Sequence, residues 1–169
     1  MKIYFAADHA GFNFKNSLLE YVRDQLGQAG VMYEVEDVGA HELDATDDYP
    51  VIVAVAARLL ARDVKEGLDS RLIMVGASGQ GEAIVANRFA GVRAAVYYGK
   101  PAGPQTDASG KQLDMIASVR THNDANALSI GARFVTLEES MAAVKEWLET
   151  PFSKEDRHLR RVAEIETQV

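Results

Sequence analysis

Short apolar runs alternate along the chain with stretches whose apolar residues recur at helical spacing. "KIYFAA" (Lys2 to Ala7) has the length and continuity of a buried strand, and Phe12 to Leu26 follows with Leu18, Leu19, Val22 and Leu26 at the spacing of one helix face. Tyr33 to Gly39, "YEVEDVG", alternates like a second strand. Asp47, Asp48 and Pro50 mark the start of a helix through "YPVIVAVAARLLARDV". "RLIMV" reads as a third strand, a glycine-rich loop follows it, and Glu82 to Phe89 reads as helix. Arg93 to Tyr98 and Ala127 to Ala132 supply a fourth and a fifth strand. Thr136 with Glu139 matches a capping box ahead of "SMAAVKEWLE", and Ser153 with Asp156 marks a second cap ahead of "EDRHLRRVAEIE".

Strands separated by helices require crossover connections, and crossovers give a parallel sheet covered on both faces. The expected fold is therefore α/β: a three-layer α/β/α Rossmann-like arrangement with a five-stranded parallel sheet and an extra C-terminal helix. At 169 residues the chain is expected to be one domain, 1–169, with a core large enough to need no staple. No internal repeat is evident. The one linker-like stretch is Gly99 to Gly110, "GKPAGPQTDASG", whose length after a strand points to a functional flap or local disorder.

Composition narrows the function classes. Lys+Arg 18 against Asp+Glu 25 gives a net charge of -7, which argues against a broad nucleic-acid surface and leaves room for a local cationic pocket. There is no cysteine, hence no disulfide framework and no thiol nucleophile. The opening "MKIYFAADHAG" is too short an apolar run for a signal peptide or a membrane span, so the expected compartment is the cytoplasm.

The chemistry concentrates in "VGASGQGEA", Val75 to Ala83. Gly76 and Gly81 have the spacing of a P-loop, but Glu82-Ala83 stand where lysine and a hydroxyl residue belong. A dinucleotide fingerprint lacks its third glycine. What remains is a nest of N–H groups at a helix start, able to hold an oxyanion, with a carboxylate beside it. That pair suits proton abstraction next to a carbonyl and enediolate stabilisation, as in aldose–ketose isomerisation. The plainer alternative is that Glu82 merely favours the first helical turn. Asp8 and His9 end the first strand, where an α/β sheet places ligands, although Asp8 would also serve as a helix cap. His122 can move protons near neutral pH or simply close its helix. Arg157 and Arg161, four apart, share a helix face and can clamp a phosphate, or pair with Glu155, Asp156 and Glu164. Arg133 follows the fifth strand.

Taken in order, "DHAG", "DYP", the glycine-rich loop with "AN" behind it, "HNDAN", "GAR" and "RHLRR" resemble the type B ribose-5-phosphate isomerase family, which includes the galactose-6-phosphate isomerase subunits. The resemblance runs from Met1 to about Glu164. It implies substrate binding by Asp8, His9, Tyr49 and Asn123, with Gly76, Ala77, Gly79 and Gly81 lining the loop. Gly76 falls where many members carry a catalytic cysteine and Ser78 where they carry threonine; a cysteine-less branch has a glutamate base at the position of Glu82. His122 matches the ring-opening histidine, and Arg133, Arg157 and Arg161 match phosphate ligands. The expected reaction needs no metal and no other cofactor. The expected partners are a phosphorylated sugar and a second copy of the chain, as a homodimer or dimer of dimers with shared sites, with neither nucleic acid nor membrane. Competing readings are the same chemistry on a four- or six-carbon aldose phosphate, a non-catalytic sugar-phosphate-binding regulator, and a metal-dependent isomerase built on Asp8, His9, Glu82 and His122.

Overall fold

The structure, a computed structural model, describes residues 1–26, 32–106 and 109–168. Residues 107 and 108 of the Gly99 to Gly110 stretch thus lie outside the described residues. In chain order the elements are β1 (Lys2–Ala7), α1 (Phe12–Glu20, continued by a π-helical turn Tyr21–Leu26), β2 (Glu34–Gly39) and α2 (Tyr49–Lys65). Then come β3 (Ser70–Gly76), α3 (Gln80–Ala86), β4 (Ala94–Tyr97), and two short strands, β5 (Gln105–Thr106) and β6 (Gln112–Leu113). They are followed by α4 (Met115–Asn123), β7 (Ala127–Gly131), α5 (Leu137–Glu149) and α6 (Asp156–Glu166).

Five parallel strands form one sheet in the order β2-β1-β3-β7-β4. Burial explains the order. Ile3 to Ala7 of β1 and Leu72 to Val75 of β3 are apolar on both faces and lie at the centre, whereas the acidic β2 takes an edge, where Lys2 pairs with Glu36 at 2.6 Å. Ile3, Phe5, Ile73, Val75 and Leu128 point to the layer of α1, α4 and α5, with Trp147 buried against them. Tyr4, Ala6, Leu72 and Met74 point to α2 and α3, meeting Val53, Ala57, Leu60 and Ala86. The predicted α/β/α sandwich is the observed one.

The chain leaves β1 in one direction to reach β2 and crosses back to β3 on the other side, so the sheet's switch point lies between β1 and β3. Ligand crevices form outside the carboxyl ends of strands at such a point. A second irregularity is less legible from sequence: β7 inserts between β3 and β4. Three differences from expectation are local. The Gly99 to Gly110 stretch contributes a two-residue antiparallel pairing with Gln112–Leu113. Ser153 does not cap α6 with Asp156; Glu155 is the N-cap residue, and Ser153 Oγ meets His158 Nδ1 at 2.7 Å because the histidine ring is buried beneath it. The α3 helix starts at Gln80 and stops at Ala86, since Asn87 turns its side chain to the backbone of Ala94 at both N–H and C=O.

At the opposite, amino-terminal edge of the sheet, a cationic network fixes the last helix. Arg93 bonds Asp124 at 2.8 Å and Glu166 at 2.6 Å, while buried Arg120 bonds Asp124 at 2.9 Å and the carbonyls of Ala125 and Thr150. These contacts join the ends of α4 and α6 to the start of β4.

Candidate active site

β3 ends at Gly76, and the chain turns into α3 through Ala77, Ser78 and Gly79 alone. Gly79 takes φ 72°, a left-handed conformation that suits glycine, and Ser129 Oγ donates to its carbonyl at 2.6 Å. The N–H groups of Ala132 and Arg133 donate to the carbonyls of Gly76 and Ala77 at 2.9 and 3.2 Å. The end of β7 therefore anchors the loop through its carbonyls. Ala77 and Ser78 remain half-buried, and Ser78 Oγ accepts from the N–H of Gln80 at 3.4 Å. Tyr49, first residue of α2, lays its ring on Gly81, where a Cβ would fall 2.5 Å from the phenol oxygen.

Glu82 lies in the first turn of α3, yet its side chain is not on solvent: it is 4% exposed. Its carboxyl folds back over Gly76, so closely that any Cβ on Gly76 would overlap it. Burial pushes the Glu82 carboxyl above the usual range, and the Asp8 carboxylate adds to the rise against the pull of the residue's own N–H. A buried, proton-affine carboxylate is what a general base near neutral pH requires.

The end of β1 supplies the second wall. Asp8 is 7% exposed and accepts from the N–H of Ala10 at 3.0 Å, so it caps the turn as well as facing Glu82 electrostatically. His9 is held by Asp47, which accepts from the His9 N–H at 2.9 Å and meets Nδ1 at 2.6 Å. This contact raises the His9 pKa. Sequence patterning read Asp47 only as part of a helix start; its partner is 38 residues away, a distance at which no local signal carries. Asp8, His9 and Asp47 bring one potential metal-ligand atom each within 4.8 Å, the one such group among the described residues.

The remaining predicted residues divide. Arg133 is exposed but leaves the same sheet edge as the loop, through its bond to Ala77. His122 and Asn123 end α4, just before β7 starts, and so lie at the other edge, a strand length of roughly 16 Å away. His122 stacks on His158 with ring centroids 4.6 Å apart. Arg157 and Arg161 lie close enough to depress the His158 pKa further, after burial, its main cause. Arg157 pairs with Glu155 at 2.9 Å on the exposed side. One chain thus does not bring Arg133 together with Arg157 and Arg161, nor Glu82 with His122. His158, in the middle of "RHLRR", carries no sequence signal of its own: its burial and its stacking on His122 arise only in the folded chain.

A doubly wound sheet with a buried carboxylate at its switch point, flanked by an aspartate and a histidine, defines an α/β enzyme acting on a small polar molecule. Residues 3–165 match the model of the Ribose/Galactose Isomerase family, and the chain belongs to that family. It is 36% identical over 163 residues to ribose-5-phosphate isomerase B of Mycobacterium tuberculosis, covering 96% of this chain and 86% of the relative. It is 33% identical to D-erythrulose-4-phosphate isomerase 2 of Mycolicibacterium smegmatis, covering 98% and 95%. The crystal structure of ribose-5-phosphate isomerase B from Mycoplasma genitalium with bound ribulose-5-phosphate superposes with a TM-score of 0.81 at 28% identity, covering 99% of this chain and 95% of that one.

Proposed function

We propose that the protein is an aldose–ketose isomerase that interconverts ribose 5-phosphate and ribulose 5-phosphate, with Glu82 as the base. The observation that carries the assignment is the Glu82 carboxyl, buried over Gly76 with its pKa raised and facing the turn into α3. His122 opens the sugar ring. Glu82 then takes the proton from C2 of the open-chain aldose, and the electron pair moves through the C1–C2 bond to the C1 oxygen. The N–H groups of the turn from Ala77 to Gly81, with Ser78 Oγ, hold the resulting enediolate. A proton passes from the C2 hydroxyl to the C1 oxygen across the bound enediolate. Protonation at C1 by the same carboxyl, as the C2 oxygen becomes the carbonyl, completes the ketose and restores the base. Asp8, His9, Tyr49 and Asn123 bind hydroxyl groups.

The phosphate lies on arginines, for which the exposed cationic face of α6 supplies Arg157 and Arg161. Since His122 and α6 stand at the other sheet edge from Glu82, the complete site is formed by two copies of the chain, each giving its Glu82 loop to the other's α4 and α6. The exposed Val51 and Ile84 beside the loop and Leu159 between the two arginines supply apolar surface for that contact. Arg133 reaches the phosphate from the loop's side.

Deuterium oxide tests the base. The native protein should exchange with solvent part of the hydrogen that moves between C2 and C1, incorporating deuterium into the sugar phosphate, seen by proton NMR. Glu82→Gln should lose that incorporation while still binding ribose 5-phosphate; retained exchange would place the base elsewhere. A second reading, the same chemistry on a four-carbon sugar phosphate, is supported by the erythrulose-phosphate isomerase among the relatives. The ratio of kcat/KM for ribose 5-phosphate and erythrose 4-phosphate decides between them.

A further inference from the structure

Two strands across the sheet from Glu82, a cavity of about 320 Å³ opens between the end of β4, the start of α4 and the middle of α5. Its walls are chemically lopsided. Tyr97, Ile116 and alanines of α5 give an apolar floor, and Asp114, Glu139 and Glu146 face it with Lys100 as the one cation on the wall. Asp114 spends one oxygen on the N–H groups of Ile116 and Ala117 at 2.7 and 3.0 Å, and Glu139 spends one on Thr136. Glu146 makes no ion pair within 4 Å among the described residues; it lies within hydrogen-bonding reach of the Asp114 carboxyl and feels the Lys100 charge.

Tyr97 supplies an independent observation. The residue is 3% exposed and lines this cavity, and its hydroxyl has no hydrogen-bond partner among the described residues. The hydroxyl opens into the cavity: the fully enclosed side-chain atoms without a partner are, among the described residues, Asp47 Oδ2, Arg71 Nη1 and Trp147 Nε1. Burial raises the pKa of that hydroxyl, and the carboxylates of Glu139, Asp114 and Glu146, all on the same cavity wall, add to the rise.

We propose that this cavity binds a small organic ammonium with an apolar body. Its N–H groups are given to the Asp114 and Glu146 carboxylates and to the Tyr97 oxygen, and its hydrocarbon part rests on Ile116. A bare metal ion fits less well. The carboxylates here do not converge, for among the described residues only Asp8, His9 and Asp47 bring three ligand atoms within 4.8 Å. An ammonium group needs no such convergence, and it offsets the excess of negative charge while donating to the Tyr97 hydroxyl that opens into the cavity. The cavity lies under the start of the Gly99 to Gly110 stretch, which Lys100 and Pro101 bring to its rim.

Titration of the full-length protein with isopentylammonium, followed by methyl NMR of Ile116 and Met115, tests the site. The expected result is a saturable shift that isopentyl alcohol, of the same shape without the charge, does not reproduce at equal concentration. Tyr97→Phe and Glu146→Gln, each the loss of one contact to a charged group, should weaken binding about tenfold or more. Glu82→Gln should leave binding unchanged, which keeps this result distinct from the fate of the isomerase assignment. Equal shifts from amine and alcohol, undiminished binding in Glu146→Gln, or no shift with either compound would each overturn the proposal.

Discussion

The Glu82 carboxyl fills the space into which a side chain at Gly76 would project: a Cβ built there overlaps it. The two positions are six residues apart, at the end of β3 and in the first turn of α3, and the tight turn between them makes them compete for one volume. A thiol-bearing side chain at 76 and a carboxylate seated as Glu82 is cannot coexist. Gly76→Ala should therefore displace the Glu82 carboxyl, the movable far end of its side chain, and cost about 1 kcal/mol, the low end of the range for overpacking a buried site. Adding Glu82→Ala should recover part of that loss. Denaturant melts of both single variants and the double variant measure the coupling; strict additivity would show that the side chains do not compete.

Glu82 also ties activity to stability. Its folded-state pKa is raised by burial, so between the ordinary glutamate value of 4.5 and that raised value the folded protein holds more protons than the unfolded chain. Stability therefore falls as pH rises through this window. Glu82→Gln removes the titration: the variant should melt higher than the native protein at neutral pH, with the difference closing toward pH 4.5. Turnover should drop by about 10²–10⁴-fold, the usual contribution of a general base. In the native protein the acid limb of kcat/KM should lie above the ordinary glutamate range.

The Asp47–His9 contact raises the His9 pKa, so the ion pair adds stability below the ordinary histidine value of 6.5 and loses it as pH climbs through the raised value. Asp47→Asn should lower the His9 pKa, read directly from the imidazole proton shifts. It should also flatten the pH dependence of the melting temperature above 6.5. If Asp47 also orients the ring toward substrate, KM rises in the same variant while Glu82-dependent deuterium exchange persists. An unmoved His9 titration would remove Asp47 from the site.

Apolar periodicity made the five strands, the order of helices and the glycine-rich turn readable, because each rests on neighbours within a few residues. "VGASGQGEA" announced both the oxyanion nest and the carboxylate, and its failure as a nucleotide loop was visible in Glu82 itself. The insertion of β7 between β3 and β4, the Asp47–His9 pair and the His122–His158 stack were not readable. Each joins residues that only the completed sheet brings together. The division of His122 and Arg133 between opposite sheet edges is of the same kind: a motif gives residue order, and only the direction of β7 says which end each occupies.

The arginines of α6 separate by partner. Arg160 lies 3.8 Å from Glu164 on the exposed face, whereas Arg161 acts on buried His158 beside His122. If Arg161 holds substrate phosphate through charge-assisted bonds, Arg161→Ala should raise KM for ribose 5-phosphate about ten- to a hundredfold, at about 1.4 kcal/mol per decade. Arg160→Ala should leave KM nearly unchanged. Equal effects from both would reduce the helix to a general positive surface.

The strand length between Glu82 and His122 gives the most direct test of the two-copy site. Glu82→Gln and His122→Ala should each be nearly inactive alone, since every site in either homodimer lacks one group. In a dimer with one subunit of each kind, one site carries both substitutions and the other carries neither. After the two variants are mixed and their subunits exchanged, random pairing in a two-fold dimer restores about a quarter of native activity. A site formed within one chain gives no restoration, because each chain carries its own defect wherever it goes. Sedimentation of the mixture must show dimers or larger assemblies at the assay concentration, and a monomer with full native activity would by itself overturn the shared site. Pairing Glu82→Gln with Ser78→Ala provides the control. Both residues belong to the same turn after β3, so they would fall in the same half of every site, and mixing them should restore nothing beyond the residual activity of Ser78→Ala.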